Sequence, residues 1–208
     1  MSTIKTFTSF TTSNCYVIQP SSQSNICYVI DLPPDVEPAL EYIQLNNLSV
    51  GGYLITHGHY DHALGMSKVD GNIYLNLEDE FLARNPQEQL SQFTNEELSI
   101  DEFKGPILDV ENFESEIVKI YKNPGHTKGS VSYEFSELGV VFTGDFVFAQ
   151  GIGRTDLFSG NNAEMKDSIN NIFLKLDKEL DVFPGHGDSD TVSNILNYND
   201  YLKEFIDD

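Results

Sequence analysis

The sequence predicts a layered α/β fold in a single domain spanning residues 1–208, and two observations predict it. A chain of 208 residues that is 39% apolar, with 14 phenylalanines, can bury one sizeable core. Along it, short apolar runs of strand length alternate with stretches whose apolar residues recur at helical spacing. No internal repeat, linker or low-complexity segment interrupts that order.

Taken in chain order, Cys15 to Gln19 and Ile26 to Asp31 read as strands joined by the turn-rich Pro20-Ser21-Ser22-Gln23-Ser24-Asn25, a hairpin. Pro33-Pro34 stops the second strand. Val36, Leu40, Ile43 and Leu48 then recur at helical spacing behind a cap at Asp35. Val50 to Thr56 is the next apolar strand, and Glu78 to Leu82 reads as helix. The polar, acidic stretch Asn85 to Pro106 predicts a surface excursion of short helices, with Phe81, Phe93 and Phe103 as apolar landmarks. Ile117 to Tyr121, Val131 to Phe135 and Val140 to Thr143 are strands, the last two joined tightly by Ser136-Glu137-Leu138-Gly139. Ala163 to Leu176 is an amphipathic helix with Met165, Ile169, Ile172, Phe173 and Leu176 on one face. Val182-Phe183 forms a last short strand, and a closing helix starts near Asp190 with Val192, Ile195, Leu196, Leu202 and Phe205 inward.

Charge narrows the partners. A net charge of -21 repels phosphate backbones, and no lysine or arginine cluster relieves it, so nucleic acid is excluded as a partner. No stretch approaches the roughly 18 uninterrupted apolar residues of a membrane span. Met1 to Phe10 has neither the basic start nor the apolar run of a signal peptide, which predicts a cytoplasmic protein. Cys15 and Cys27 suit a reducing compartment as buried thiols, the alternative being a disulfide across the hairpin. Nothing in the chain decides its oligomeric state.

All five histidines lie in three motifs: Thr56-His57-Gly58-His59-Tyr60-Asp61-His62, Pro124-Gly125-His126-Thr127 and Pro184-Gly185-His186-Gly187. Thr143-Gly144-Asp145 adds a carboxyl. A lone Pro-Gly-His-Thr is an ordinary turn beside an exposed histidine, and Thr-Gly-Asp alone says less. Four potential ligands within six residues, at 57, 59, 61 and 62, are not explained by packing. Seven candidate ligands exceed the roughly four of one zinc and suit two adjacent metals sharing a bridging carboxylate and a bridging water. In extended backbone residues i and i+2 point the same way, so His57 and His59 can grip one metal while Asp61 and His62 turn toward a second. In the other two histidine motifs the proline ends a strand and the glycine permits the turn that aims the imidazole. Zinc, iron and manganese all accept this nitrogen and oxygen donor set.

These motifs, in this order, resemble the metallo-β-lactamase fold hydrolases and, within them, the glyoxalase II-like thioesterases. The resemblance covers essentially the whole chain and implies a four-layer αβ/βα sandwich with metals at one edge. It implies that His57, His59 and His126 hold the first metal, that Asp61, His62 and His186 hold the second, and that Asp145 bridges them. It further implies hydrolysis of a small-molecule thioester such as a hydroxyacylglutathione by a metal-bridging hydroxide, with two divalent ions, zinc foremost, and with Asp61 and Asp145 catalytic. The run Gly151-Ile152-Gly153-Arg154-Thr155-Asp156 resembles both small glyoxalase II-like enzymes and persulfide dioxygenases, and points to Arg154 as a substrate contact. The alternative for Arg154 is a structural ion pair with Asp156 or another acid. Larger relatives carry an additional helical domain that clamps glutathione, which the chain is expected to lack. Two rival functions stand beside the hydrolase: a mononuclear iron persulfide dioxygenase and a non-catalytic metal-binding interaction module.

Overall fold

The computed structural model describes residues 2–90, 100 and 103–206, which fall into two compact units, Met1–Phe113 and Glu114–Asp208. In the first unit the strands are β1 (Thr3–Thr8), β2 (Asn14–Gln19), β3 (Ile26–Ile30), β4 (Ser49–Leu54), β5 (Ile73–Leu75) and β6 (Leu108–Asp109), hydrogen-bonded in that order into one sheet. Its helices are α1 (Glu37–Leu45), α2 (Tyr60–Ala63), α3 (Glu80–Arg84) and α4 (Pro86–Leu90). β1, β2 and β3 are antiparallel, and β3, β4, β5 and β6 run parallel to one another. Asp31, the histidine-rich motif and Asp79 therefore all follow the carboxyl ends of parallel strands, where layered α/β sheets gather their ligands.

The hairpin, the strand before the histidine motif and the helix after Pro34 were all legible in the sequence. β1, β5 and β6 were not. Ile4 and Phe7 do not alternate, so β1 is recruited by six-residue pairing with β2 rather than by an apolar face. β5 and β6 are too short to stand out. Asp35 does not cap α1, whose N-cap Val36 has no side-chain bond. Asp35 instead accepts from the Ser9 hydroxyl and the Phe10 amide and ties down the β1–β2 loop. The β2–β3 register pairs Tyr16 with Ile30 and Ile18 with Tyr28, leaving Cys15 and Cys27 at opposite ends of the ladder as two buried, free thiols. Burial pushes the Cys27 thiol up to about 11. Phe93 lies outside the described residues, while Phe103 packs against the core.

The second unit carries β7 (Lys119–Lys122), β8 (Val131–Phe135), β9 (Val140–Gly144), the hairpin β10 (Val147–Phe148) and β11 (Gly151–Ile152), α5 (Asn162–Asn171), β12 (Asp181–Pro184), β13 (Asp190–Thr191), α6 (Val192–Tyr198) and α7 (Asp200–Lys203). Its sheet runs β13-β12-β9-β8-β7. β8 is antiparallel to β7 and to β9, and β12 is parallel to β9. Hence β7, β9 and β12 point the same way and present Pro124-Gly125-His126, Asp145 and Pro184-Gly185-His186 at one edge. Gly139 turns the β8–β9 connection with φ 68, a conformation glycine adopts without steric cost.

Met165, Ile169, Phe173 and Leu176 pack into the core as their spacing predicts, with Phe146 and Phe173 edge to face at 6.1 Å between centroids, whereas Ile172, expected on the same face, caps the end of α5 and is only half-buried. The regular helix ends at Asn171 and the last turn tightens over Phe173–Lys175. The closing helix is likewise broken in two at Asn199, whose side-chain oxygen accepts from the Leu202 amide and starts α7. Among the described residues no helix is long and apolar enough to cross a membrane.

Candidate metal centre

The candidate ligands form two clusters, one in each unit. In the first, β4 ends at Leu54 and the chain passes through Thr56, His57, Gly58 and His59 into α2, which holds Asp61 and His62. His57, His59 and His62 are buried, Asp61 partly so. Ring centroids of His57 and His59 lie 4.9 Å apart and those of His57 and His62 4.3 Å apart. The Nε2 of His62 is 3.6 Å from Oδ2 of Asp61.

Asp31, at the end of the neighbouring parallel strand, organises this cluster. One carboxyl oxygen accepts from the Thr56 amide at 2.7 Å; the other accepts from the Thr56 hydroxyl and from Nδ1 of His62, both at 2.8 Å. Because a carboxyl oxygen in these contacts only accepts, His62 carries its proton on Nδ1, and its lone pair is on Nε2. The Thr56 hydroxyl proton is committed to Asp31, so the 3.0 Å contact with His57 is donated by His57 Nδ1. His57 too presents Nε2 as its lone-pair nitrogen. Fixing one ring nitrogen as a donor so that the other can bind a metal is the usual support of a ligating imidazole.

In the second cluster the same device recurs. His126, 3% exposed, donates Nδ1 to the Arg154 carbonyl at 2.7 Å, leaving Nε2 as the acceptor nitrogen. Oδ2 of Asp145 lies 3.6 Å from Nε2 of His126 and 3.5 Å from Nε2 of His186. The β9–β12 register sets Pro184 beside Gly144, and the Gly185 amide donates to the Gly144 carbonyl at 2.8 Å, which brings His186 next to Asp145. Gly144 turns with φ 52. Gly153 is required by proximity: a Cβ there would stand 1.7 Å from the Asp145 carbonyl oxygen. His186 keeps 27% of its side chain exposed and meets the Phe148 ring edge on, at 6.2 Å.

Each unit thus brings together the ligands it carries, and the buried imidazoles with Nδ1 tied back fit a divalent cation through Nε2. The Arg154 side chain does something else. Its guanidinium, 54% exposed, pairs bidentately with Asp156 at 2.7 and 2.8 Å and holds that carboxyl down at about 2, so its link to the cluster is its carbonyl. Residues the sequence reasoning missed are Asp31, Asp79, Gln89 and this carbonyl. Asp31 left a faint trace as an acid directly ending an apolar strand beside the one that carries the histidines.

Comparison with known proteins gives a match to the metallo-beta-lactamase superfamily model over residues 8–186. The chain is 30% identical over 203 residues to the hydroxyacylglutathione hydrolase GloC of Haemophilus influenzae, covering 91% of this chain and 92% of that one. Among solved structures it is similar to the BLEG-1 B3 metallo-beta-lactamase, with TM-score 0.83 and 26% identity over 96% of this chain and 99% of that one. It also shares the fold of TTHA1623, solved in a di-iron-bound form, with TM-score 0.81 and 23% identity over 95% and 99% of the two chains.

Proposed function

The chain belongs to the metallo-beta-lactamase superfamily, a metal-dependent hydrolase by that membership, and on this premise we propose that it is a binuclear thioesterase acting on a small acyl-thioester of the hydroxyacylglutathione kind. In this reading His57, His59 and His126 would hold one metal, Asp61, His62 and His186 the other, and Asp145 would be shared by both. The observation that carries the reading is Asp145 Oδ2 set at 3.6 and 3.5 Å from the Nε2 atoms of two separate histidines, a disposition suited to a shared carboxylate. The similarity to a hydroxyacylglutathione hydrolase supports the substrate class.

Two divalent cations, zinc foremost, supply when bound a nucleophile at neutral pH and polarise the acyl carbonyl. Asp61, partly exposed beside His62, would orient the nucleophile. His57, His62 and His126 are each held through Nδ1, by the Thr56 hydroxyl, the Asp31 carboxyl and the Arg154 carbonyl, which leaves Nε2 as the nitrogen each would offer a metal. A thiol leaves with a pKa of about 8.5, so no dedicated general acid is required. Arg154 is the candidate contact for an anionic end of the substrate, which would have to displace Asp156 from the guanidinium.

Elemental analysis of the purified chain alongside a thioester hydrolysis assay on lactoylglutathione tests the proposal. Two metals per chain with hydrolysis are expected, and Asp145→Asn should lower both metal content and turnover, the latter by at least about a hundredfold. One iron per chain with oxygen uptake on glutathione persulfide would replace the hydrolase by the dioxygenase reading. Full metal content and normal rate in Asp145→Asn would refute the bridging role.

A further inference from the structure

His59 is the N-cap residue of α2 and gives that helix no side-chain cap. The first amides of a helix have no partner within it and must find one elsewhere. The Tyr60 amide donates instead to the side-chain oxygen of Gln89, 29 residues along the chain, at 3.0 Å. The same carboxamide donates through Nε2 to the Gly58 carbonyl at 3.3 Å and to the Leu82 carbonyl at 2.7 Å. Its orientation is unambiguous, since an amide N–H needs an oxygen and two carbonyls need a donor. Gln89 is 7% exposed.

Those contacts single out one residue. The Gly58 carbonyl belongs to the peptide plane on the amino side of His59, and the Tyr60 amide to the plane on its carboxyl side. Holding both planes sets φ and ψ of His59, at -67° and 147°, and with them the direction of its Cα–Cβ bond. Asp79, buried at the end of the segment after β5, adds a third hold by accepting from the Gly58 amide at 2.9 Å. Gly58 leaves no slack, because a Cβ there would lie 2.6 Å from the Asp79 carbonyl oxygen and 2.8 Å from Leu82.

We propose that Gln89 is the positioning residue for His59: its one carboxamide fixes both backbone torsions that aim this imidazole at its metal, in place of the local cap that a ligand histidine cannot provide. The inference rests on the metal reading above. It assigns a role to the polar stretch after α3, which composition alone describes as a surface excursion.

The test uses the full chain and zinc. Gln89→Leu keeps most of the side-chain volume and removes every bond. Titration of the zinc-loaded protein with a chromophoric chelator should show one zinc equivalent bound about 10–100-fold more weakly than in the parent, the usual effect of losing a support behind a ligand. A residue that merely stabilised the fold would lower the thermal midpoint of the metal-free protein and leave zinc affinity alone, and a folded Leu variant with parental affinity for all its zinc overturns the proposal. Should that variant fail to fold, amide hydrogen exchange in the metal-free parent decides: protection of the Tyr60 amide is expected, and exchange at the rate of an exposed amide overturns the clamp. A parent chain that takes up no zinc refutes the metal reading itself, whereas a parent that loads beside an equally loading variant refutes only the role of Gln89.

Discussion

Three donors converge on the two oxygens of Asp31, and an asparagine could not accept all three. Whichever way its amide turned, its NH2 would face the Thr56 amide or the pair formed by the Thr56 hydroxyl and His62 Nδ1. The backbone is not the obstacle, because Asp31 sits at φ 61, where asparagine is also at ease. Asp31→Asn should therefore destabilise the metal-free protein by about 2–3 kcal/mol in denaturant unfolding, the cost of hydrogen bonds to a carboxyl left facing a donor. An unchanged midpoint would mean that Asp31 does not organise the cluster. At this scale the sequence displays the ligands and hides their supports. Histidine is rare in this chain and each copy belongs to a short motif that follows a strand, so its purpose is visible. Asp31 is one acid among 33 acidic residues, and Gln89 lies in a polar stretch, so only the parallel strand pairing and the return of the chain across α2 show what either touches. For Arg154 the sequence left two roles open, a substrate contact or an ion pair with Asp156; the structure shows the ion pair, and the link from its carbonyl to His126 left no trace in the sequence.

At the scale of elements, strand direction does the assembling. β7, β9 and β12 run the same way, and a two-residue hairpin pairing of β10 with β11 folds Gly153 back against Asp145 so that the next carbonyl reaches His126. A pair of substitutions separates this tight approach from an ordinary turn. Gly139→Ala meets nothing within 4 Å and carries only the strain of φ 68, about 1 kcal/mol. Gly153→Ala collides with the Asp145 carbonyl and must displace the ligand or the hairpin. Metal content of the two purified variants should be normal for the first and clearly reduced for the second; equal, full loading of both would contradict the packing. The long strands and the amphipathic α5 were legible from period and turn residues. The helix breaks at Asn171 and Asn199 were not, because hydrophobic spacing runs on through residues whose side chains or backbone have already left the helix.

For the molecule as a whole, the charge of -21 is the property the sequence states outright. Self-repulsion of that size opposes compactness, and salt screens it over a Debye length of about 8 Å at physiological strength. The thermal midpoint of the metal-free chain should rise as sodium chloride is increased from about 0.01 to about 0.3 M; a fall would show that attractive ion pairs outweigh the repulsion. Two bound cations would add four positive charges among the acids, so loading should raise the midpoint further, by mass action on the folded state.

Anomalous diffraction from crystals of the metal-loaded chain tests most directly whether the two ligand clusters share one pair of cations. Two peaks a few ångströms apart are expected, one bonded to His57, His59 and His126, the other to Asp61, His62 and His186, with Asp145 touching both. A single peak, or metal held by the ligands of one cluster alone, would contradict it.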